Sequence, residues 1–362
     1  MQQQMSNSSN VPGDGPVLVT GGAGFIGSCF LLKLVAKHPY RQFINVDSLG
    51  FAGMKENVSA IEAARNYSFR QIDIRDSKAI QELFSEIKPD VVVNFAAETH
   101  VDRSIVDPGA FVSTNVNGTF NLLEAARRTW TDFNGRRFHH VSTDEVFGSL
   151  GEKGQFSETT SYDPSSPYSA SKAASDHLVR AYHRTYGMPV TISNCSNNYG
   201  PRQFPEKLIP LFTTNAVEGK PLPIYGTGIN IRDWLFVGDH CDAIWQIAQS
   251  PFVGETFNVG GNSERSNLQV VDAILDAVAE VTGRNRSELE KLKTFVSDRP
   301  GHDLRYAIDA RKIREKLGWE PTVVFEDGIK ETVAWYLQNL EWSARALDLR
   351  DRQTVELERL SI

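Results

Sequence analysis

Pro16-Val17-Leu18-Val19-Thr20-Gly21-Gly22-Ala23-Gly24-Phe25-Ile26-Gly27 is the stretch from which the rest of the chain is read. A short apolar run meets a glycine-rich turn, and Ser28 to Lys37 then carries Phe30, Leu31, Leu34 and Val35 at helical spacing. Strand, turn and helix in that order aim backbone N–H groups and a helix N-terminus at one point, where a pyrophosphate can sit. Glycines alone also mark ordinary turns, so the context decides. Phe43-Ile44-Asn45-Val46-Asp47 reads as the next strand, and Asp47 lies twenty residues after Gly27. A carboxylate there accepts from an adenosine ribose hydroxyl and repels a 2′-phosphate, which favours NAD over NADP.

The alternation continues. Tyr67 to Ile72 reads as a strand ending at Asp73-Ile74, where side chain and backbone can meet an adenine. Ser77 to Ile87 reads as a helix capped by Ser77. Asp90 to Phe95 is a buried strand running into Ala96-Ala97-Glu98-Thr99-His100, whose small residues let the backbone pass close to a cofactor. Val112 to Arg128 is a long helical stretch with Asn115 and Asn117 near its start. Such alternation implies an α/β fold with a doubly wound parallel sheet and a ligand crevice at the strand C-termini.

From Cys195 the texture changes to Pro/Gly-rich, loop-like stretches (Asn197 to Pro201, Pro221 to Gly226), where a smaller, discontinuous α/β domain begins. Leu235 to Gln249 and Thr256 to Val259 look like a return to the first domain. Leu268 to Thr282, Ile308 to Leu317 and Phe325 to Leu340 read as helices, and Ser297 to His302 as a basic loop. The boundaries expected are a disordered lead-in over 1–15, a nucleotide domain over 16–195 plus about 235–260, a substrate domain over 196–234 plus about 261–342, and a peripheral charged tail over 343–362.

At 362 residues, with 40% hydrophobic and 23% charged side chains, the composition is that of a globular protein of about two domains. A net charge of −7 argues against a nucleic-acid-binding surface. Cys29, Cys195 and Cys241 have no metal spacing and leave one thiol over in any disulfide scheme, which suits a reducing compartment. No stretch approaches the ~20 apolar residues of a membrane span, and Met1 to Gly15 lacks a signal-peptide pattern. The expected location is the cytoplasm. The histidines form no ligand cluster, so no metal is expected.

Two stretches carry chemistry. Arg137 to Val141 reads as the end of a buried strand, and Ser142-Thr143-Asp144-Glu145-Val146-Phe147-Gly148 follows at the cleft edge. Adjacent carboxylates resist joint ionisation, so one is readily kept as an acid while the other serves as a base. Tyr168 and Lys172 are four apart, on one face of a helix, where an ammonium stabilises a phenolate. Taken singly, the acid pair also fits a solvated turn, and the Tyr/Lys pair a core aromatic with a surface neighbour.

Val19 to Gly27, together with Tyr168-x-x-x-Lys172, resembles the extended short-chain dehydrogenase/reductase family of Rossmann-type enzymes. Ser142 to Val146 resembles the mark of the branch of that family that dehydrates dTDP-glucose. The likeness runs on through Ala96 to Ser104, Asn197 to Pro201, Phe204 to Pro210, Pro223 to Gly226, Ile231 to Trp234 and Asp298 to Asp303. It departs at Phe147, at Arg202-Gln203 and at Ser48 to Phe51.

The resemblance implies that Thr143, Asp144, Glu145, Tyr168 and Lys172 are catalytic. It assigns NAD to Gly21, Gly24, Phe25, Ile26, Gly27, Asp47, Ser48, Leu49, Gly50, Asp73, Ile74, Phe95, Ala96, Ala97, Thr99, Thr114, Tyr168, Lys172 and Asn198. Substrate falls to Thr99, Thr143, Asn197, Lys207, Leu208, Pro223, Ile224, Tyr225, Arg232, Asn267, Asp298, Arg299 and His302, the arginines being suited to a diphosphate. It also implies a homodimer joined through the Val112 and Tyr168 helices. A nucleotide-sugar 4-epimerase would use Tyr168 and Lys172 without needing the acid pair. A UDP-glucose dehydratase would keep all of these residues, and a non-catalytic NAD-binding regulator commonly loses the Tyr/Lys pair.

Overall fold

The computed structural model describes residues 10–298 and 303–360, with side chains followed to residue 350. Arg299 and His302, like the first nine residues of the expected lead-in, lie outside the described residues.

The apolar runs of the first half become strands that pair edge to edge. They are β1 (Val17–Thr20), β2 (Phe43–Asp47), β3 (Tyr67–Gln71), β4 (Val91–Asn94), β5 (Arg137–Thr143) and β6 (Val190–Cys195). Between them run α1 (Phe25–Lys37), α2 (Ser77–Ile87), α3 (Val101–Val106), α4 (Pro108–Phe111), α5 (Thr119–Thr129) and α6 (Pro167–Tyr186). Strands β1, β4 and β5 are buried at every residue, as befits inner strands covered by helices on both faces.

Beyond Cys195 come β7 (Asn197–Tyr199), α7 (Leu208–Glu218), β8 (Leu222–Tyr225), β9 (Ile231–Phe236), α8 (Val237–Gln249) and β10 (Glu255–Val259). They are followed by β11 (Glu264–Ser266), α9 (Asn267–Thr282), α10 (Arg286–Glu290), β12 (Lys293–Val296), α11 (Arg311–Leu317), α12 (Phe325–Gln338) and α13 (Leu340–Leu360).

The main sheet has seven strands in the order β10-β6-β5-β4-β1-β2-β3, parallel at every pairing. The chain leaves β1 toward β2 on one side and reaches β4 on the other, so the crevice between the ends of β1 and β4 is the switch point where α/β sheets bind ligands. The fold is the doubly wound α/β type expected. Among the described residues no helix is long and apolar enough to cross a membrane.

A second core lies beside this sheet. Strands β11-β9-β7 form one small sheet and β12-β8 another. Ile209, Phe212, Ile224, Ile274 and Ile329 pack together under them. Leu235 and Phe236 still pair with Asn198 and Tyr199, so the return to the main sheet begins at Val237 rather than at 235. The stretches read as loop-like, Asn197–Tyr199 and Leu222–Tyr225, are strands because they find distant partners in β9 and β12.

Four local readings change. Asp76, not Ser77, caps α2, its carboxylate accepting from the N–H groups of Lys78 and Ala79 at 3.1 and 3.0 Å. Residues 112–118 are π-helical rather than the start of one regular helix. That widened stretch holds Asn115, whose amide exchanges hydrogen bonds with Glu98 (2.8 and 3.0 Å) and donates to Ser171 Oγ at 2.8 Å. Asn10 to Gly15 are pinned rather than disordered. Gly13 N donates to Gly135 O at 2.9 Å, and Arg137 Nη2 to Asn10 O at 2.8 Å; most of these bonds use backbone atoms, which composition cannot reveal. The tail is not peripheral at its start. Ser343 and Ala346 are buried, and Ala346 packs with Met54, Phe204, Tyr336 and the preceding Trp342.

Candidate active site

A cleft of about 400 Å³ runs along the C-terminal edge of the sheet from the glycine turn to β5 and β6. At the turn, Gly21 has φ 69°, and a Cβ there would stand 2.7 Å from Ala96 N. A Cβ on Gly27 would stand 2.3 Å from Gly21 O. Only glycine lets the backbone pass this close. Helix α1 has no side-chain cap and no acid in its first turn, so its first N–H groups remain available to an anion. Asp47 closes this end, accepting from Ala23 N at 2.9 Å and Leu49 N at 2.8 Å. Burial pushes its carboxyl up, and those two N–H groups pull it back.

At the other end β5 delivers Thr143, Asp144 and Glu145. Thr143 caps the following turn, its hydroxyl accepting from Glu145 N at 3.2 Å and donating to Asp144 Oδ1 at 3.3 Å. Asp144 is 2% exposed, and its Oδ2 is buried with no hydrogen-bond partner. Burial first, then the neighbouring charges of Glu145 and Asp233, hold its carboxyl well above the usual carboxylate range, with Arg232 opposing. Of two adjacent acids, the structure therefore keeps Asp144 protonated.

Pro167 starts α6 and Ser166 caps it in a box with Ser169, which sets Tyr168 and Lys172 facing the same cleft. Both are buried. The expectation that the Lys172 ammonium stabilises the phenolate meets an opposing effect from the protein itself. Tyr168 is held well above its ordinary value by burial and then by Glu145, while the Lys172 ammonium donates to Val141 O at 2.8 Å. Burial also lowers Lys172, with Asp176 pulling it back up. Desolvation thus acts on both members of the pair, raising the phenol and lowering the ammonium.

All five expected catalytic residues line this one cleft, as do Gly21, Gly24, Phe25, Ile26, Gly27, Asp47, Ser48, Gly50, Asp73 and Ile74. Phe95, Ala96, Ala97, Thr99, Thr114, Asn197, Asn198 and Lys207 join them. Leu49 lies just behind the wall, at φ 57°, with its N–H on Asp47. Asp73 is already paired with Arg75 at 2.6 Å.

The remaining substrate candidates sit in the second core or along its edge. Ile224 is buried and Leu208 packs against that cluster, while Pro223 and the exposed Tyr225 continue β8. Asn267 opens α9. Asp298 lies against Gly226, whose added Cβ would meet its carboxylate at 2.9 Å. Arg232 is buried, stacks over Tyr306 at 4.3 Å and donates to Asp303 O at 3.0 Å. Sequence reasoning gave no role to Glu98, His100 or Glu206, yet all three line the cleft. His100 Nε2 meets Glu206 Oε1 at 3.2 Å, and burial raises the carboxyls of Glu98 and Glu206. The signal was an acid among small residues just past a strand end.

Comparison with known proteins agrees with this geometry. Residues 18–332 match the family described as GDP-mannose 4,6 dehydratase. A dTDP-glucose 4,6-dehydratase of Xanthomonas campestris is 54% identical over 337 residues, covering 91% of this chain and 95% of that one. One from Escherichia coli K12 is 51% identical over 340 residues, covering 90% and 94%. The crystal structure of DesIV, a dTDP-glucose 4,6-dehydratase from Streptomyces venezuelae solved with NAD bound, superposes with a TM-score of 0.84 at 43% identity, covering 91% of this chain and 99% of that one. The UDP-glucose 4-epimerase of Thermotoga maritima gives 0.80 at 30% identity, covering 90% and 99%. The chain belongs to the GDP-mannose 4,6 dehydratase family, and within it groups with the dTDP-glucose 4,6-dehydratases.

Proposed function

We propose that this chain dehydrates dTDP-glucose to the 4-keto-6-deoxy sugar nucleotide, using NAD that is regenerated in each turnover. The observation that carries the reading is Asp144, a buried acid with one unpartnered oxygen, next to Glu145 and in the same cleft as Tyr168, Lys172 and the glycine turn. When bound, NAD would supply the hydride chemistry, as acceptor from carbon 4 and donor to carbon 6, and a positively charged ring in the cleft that holds Tyr168. Gly21, Gly27, the start of α1 and Asp47 would hold it, with Lys172 at the nicotinamide ribose.

The protein's part is proton traffic. Tyr168 takes the proton of the carbon-4 hydroxyl, which Thr143 orients. The ketone acidifies carbon 5, and Glu145 removes that proton. Asp144 donates to the hydroxyl leaving carbon 6, and water departs. Glu145 then returns its proton to carbon 5. Tyr168 ends protonated and Asp144 ionised, so one proton must pass between them to reset the site. We assign that link to the Thr143 hydroxyl, which donates to Asp144 Oδ1 at 3.3 Å and lines the same cleft as Tyr168.

The division of labour follows the two cores: the seven-stranded sheet holds the cofactor, while residues 196–234 and about 261–342 hold the sugar nucleotide. Asn197, Lys207, Leu208, Pro223, Ile224, Tyr225, Arg232, Asn267, Asp298, Arg299 and His302 remain the proposed substrate contacts. A homodimer belongs to the same reading, supported by exposed Val112 (51%), Phe120 (44%) and Tyr186 (47%) along the stretches expected to pair. So does a reducing, cytoplasmic location, supported by three unpaired thiols.

Turnover with dTDP-glucose and with UDP-glucose, each followed by product mass, tests the proposal. Loss of one water from dTDP-glucose without net reduced cofactor supports it. Reaction of UDP-glucose alone overturns the choice of base, and a galactose-type product of unchanged mass makes the chain an epimerase.

A further inference from the structure

Beneath the catalytic edge, α6 and β5 are joined by a buried polar seam. Lys172 Nζ donates to Val141 O at 2.8 Å. One turn further along α6, Asp176 Oδ2 accepts from Ser142 Oγ at 2.9 Å, and Ser175 Oγ lies 3.2 Å from His140 Nε2. Three consecutive strand residues, His140, Val141 and Ser142, are thus each held by a side chain of one helix. The next three residues are Thr143, Asp144 and Glu145.

Asp176 is 0% exposed, and its surroundings are charged on one side only. Lys172 and Arg180 flank it one turn away on its own helix. From β5 come Ser142 and His140, whose Nε2 stands 3.5 Å from Asp176 Oδ1. The loop before α6 contributes Tyr162 Oη, donating at 2.8 Å, and β6 contributes Asn194 Nδ2 at 3.4 Å. Burial holds the His140 imidazole neutral, so the positive charge facing Asp176 is that of Lys172 and Arg180. Conversely, Asp176 is the first of the groups that oppose the loss of the Lys172 proton to burial, with the Cys195 thiol behind it. A buried ammonium with no counter-charge sheds its proton.

We propose that Asp176 is a positioning residue for the reaction: it fixes Ser142, and hence the Thr143–Glu145 turn, and sets a negative charge one helical turn from Lys172. The inference rests on the proposed function to the extent that Lys172 and that turn do the chemistry. Burial pushes the Asp176 carboxyl up, while Lys172, Arg180 and the hydroxyls of Tyr162 and Ser142 pull it back, so the groups that hold the seam together are also those that favour its carboxylate.

The test isolates the first oxidation. In an Asp144→Asn background, which blocks the elimination and removes the titration of that acid, reduced-cofactor formation from dTDP-glucose is followed against pH. Asp176→Asn keeps the shape and removes the charge, so Lys172 should deprotonate at lower pH. The alkaline limb of the rate profile should move to lower pH, with a loss on the order of 10²-fold at neutral pH. Asp176→Glu should return the limb toward its original position.

An unmoved limb with a uniform loss at every pH, unrestored by Glu, makes Asp176 merely structural and overturns the charge role. Ser142→Ala keeps the carboxylate and serves even where Asp176→Asn does not fold. It should lower kcat with the limb in place, and full kcat in that variant overturns the role in fixing the turn. Unsubstituted protein that fails to dehydrate dTDP-glucose counts against the proposed function instead, so the two failures are distinguishable.

Discussion

Two buried aspartates stand at opposite ends of one cleft, and they are handled in opposite ways. Asp47 has each carboxylate oxygen on a backbone N–H, one from the glycine turn and one from its own loop. Those bonds counter its burial. Asp144 is more deeply buried, one oxygen has no partner, and its acidic neighbours Glu145 and Asp233 add to the penalty of ionising. The cofactor end is built satisfied, as suits a group that stays in place through turnover. The catalytic end is left short of partners, so that a proton is held until the reaction takes it. Residue type alone does not separate these roles; burial, neighbouring acids and the supply of donors together do.

The comparison breaks most visibly at the catalytic end. Tyr168→Phe removes the base for the first step and should lower kcat on the order of 10³-fold or more, while cofactor content after purification stays normal. Lost cofactor in that variant would mean that the two ends are not separable.

Asp144→Asn should cost roughly 10²-fold in kcat, with reduced cofactor building up on the enzyme because oxidation proceeds and elimination stalls. The same change should stabilise the fold. A carboxyl whose folded pKa lies above its unfolded value of about 3.9 carries no penalty at lower pH. Its penalty grows as pH rises from that unfolded value to the folded one and is constant beyond. Asp144→Asn removes the penalty, so its melting temperature should exceed that of the unsubstituted protein by a few degrees at neutral pH and match it in acid. Elimination should fall with rising pH once Asp144 ionises. Equal melting at both pH values would show that Asp144 is not held protonated.

At the cofactor end, Asp47→Asn keeps the shape and loses the charge. NAD affinity should drop roughly 10- to 100-fold, the loss expected for hydrogen bonds to a charged group. The preference against a 2′-phosphorylated cofactor should shrink with it. Binding measured by calorimetry with both cofactors checks this, and unchanged discrimination would move the choice away from Asp47.

The two ends were not equally legible in the sequence. The strands of the sheet could be read because burial on both faces turns them into apolar runs such as Val91-Val92-Val93. The glycine turn, Asp47 and the Asp144-Glu145 pair were visible because each is local. What stayed hidden depends on partners far along the chain. Glu98 and His100 gain meaning only when Asn115 and Glu206 reach them. The π-helical run at 112–118 exists to place Asn115, and no periodicity announces it. Arg137 looks like an ordinary strand-edge cation, yet it is fully buried and donates to the carbonyls of Asn10 and Ser250. The direction of the Tyr168 shift was missed for a related reason. Spacing put Tyr168 and Lys172 on one helix face but did not show that burial would hold the phenol up.

The smallest effect is expected where the tail meets the glycine turn. Trp342 Nε1 donates to Asn57 Oδ1 at 2.9 Å, and Asn57 Nδ2 donates to Ala23 O at 2.8 Å, within the turn itself. Arg345 pairs with Glu56 beside them. The carbonyl of Ala23 is thus held from the far end of the chain while its N–H is held by Asp47. Trp342→Phe keeps most of the ring packing and gives up one hydrogen bond, a change of about 1 kcal/mol. If that bond braces the turn, cofactor should leave roughly 5-fold faster, as read by retention through gel filtration, with kcat unchanged at saturating NAD. Unaltered retention in the Phe variant, with lost retention in Asn57→Ala, would confine the brace to Asn57. The tail would then serve only to cover Met54 and Phe204, and the satisfied end of the cleft would owe nothing to residues beyond 340.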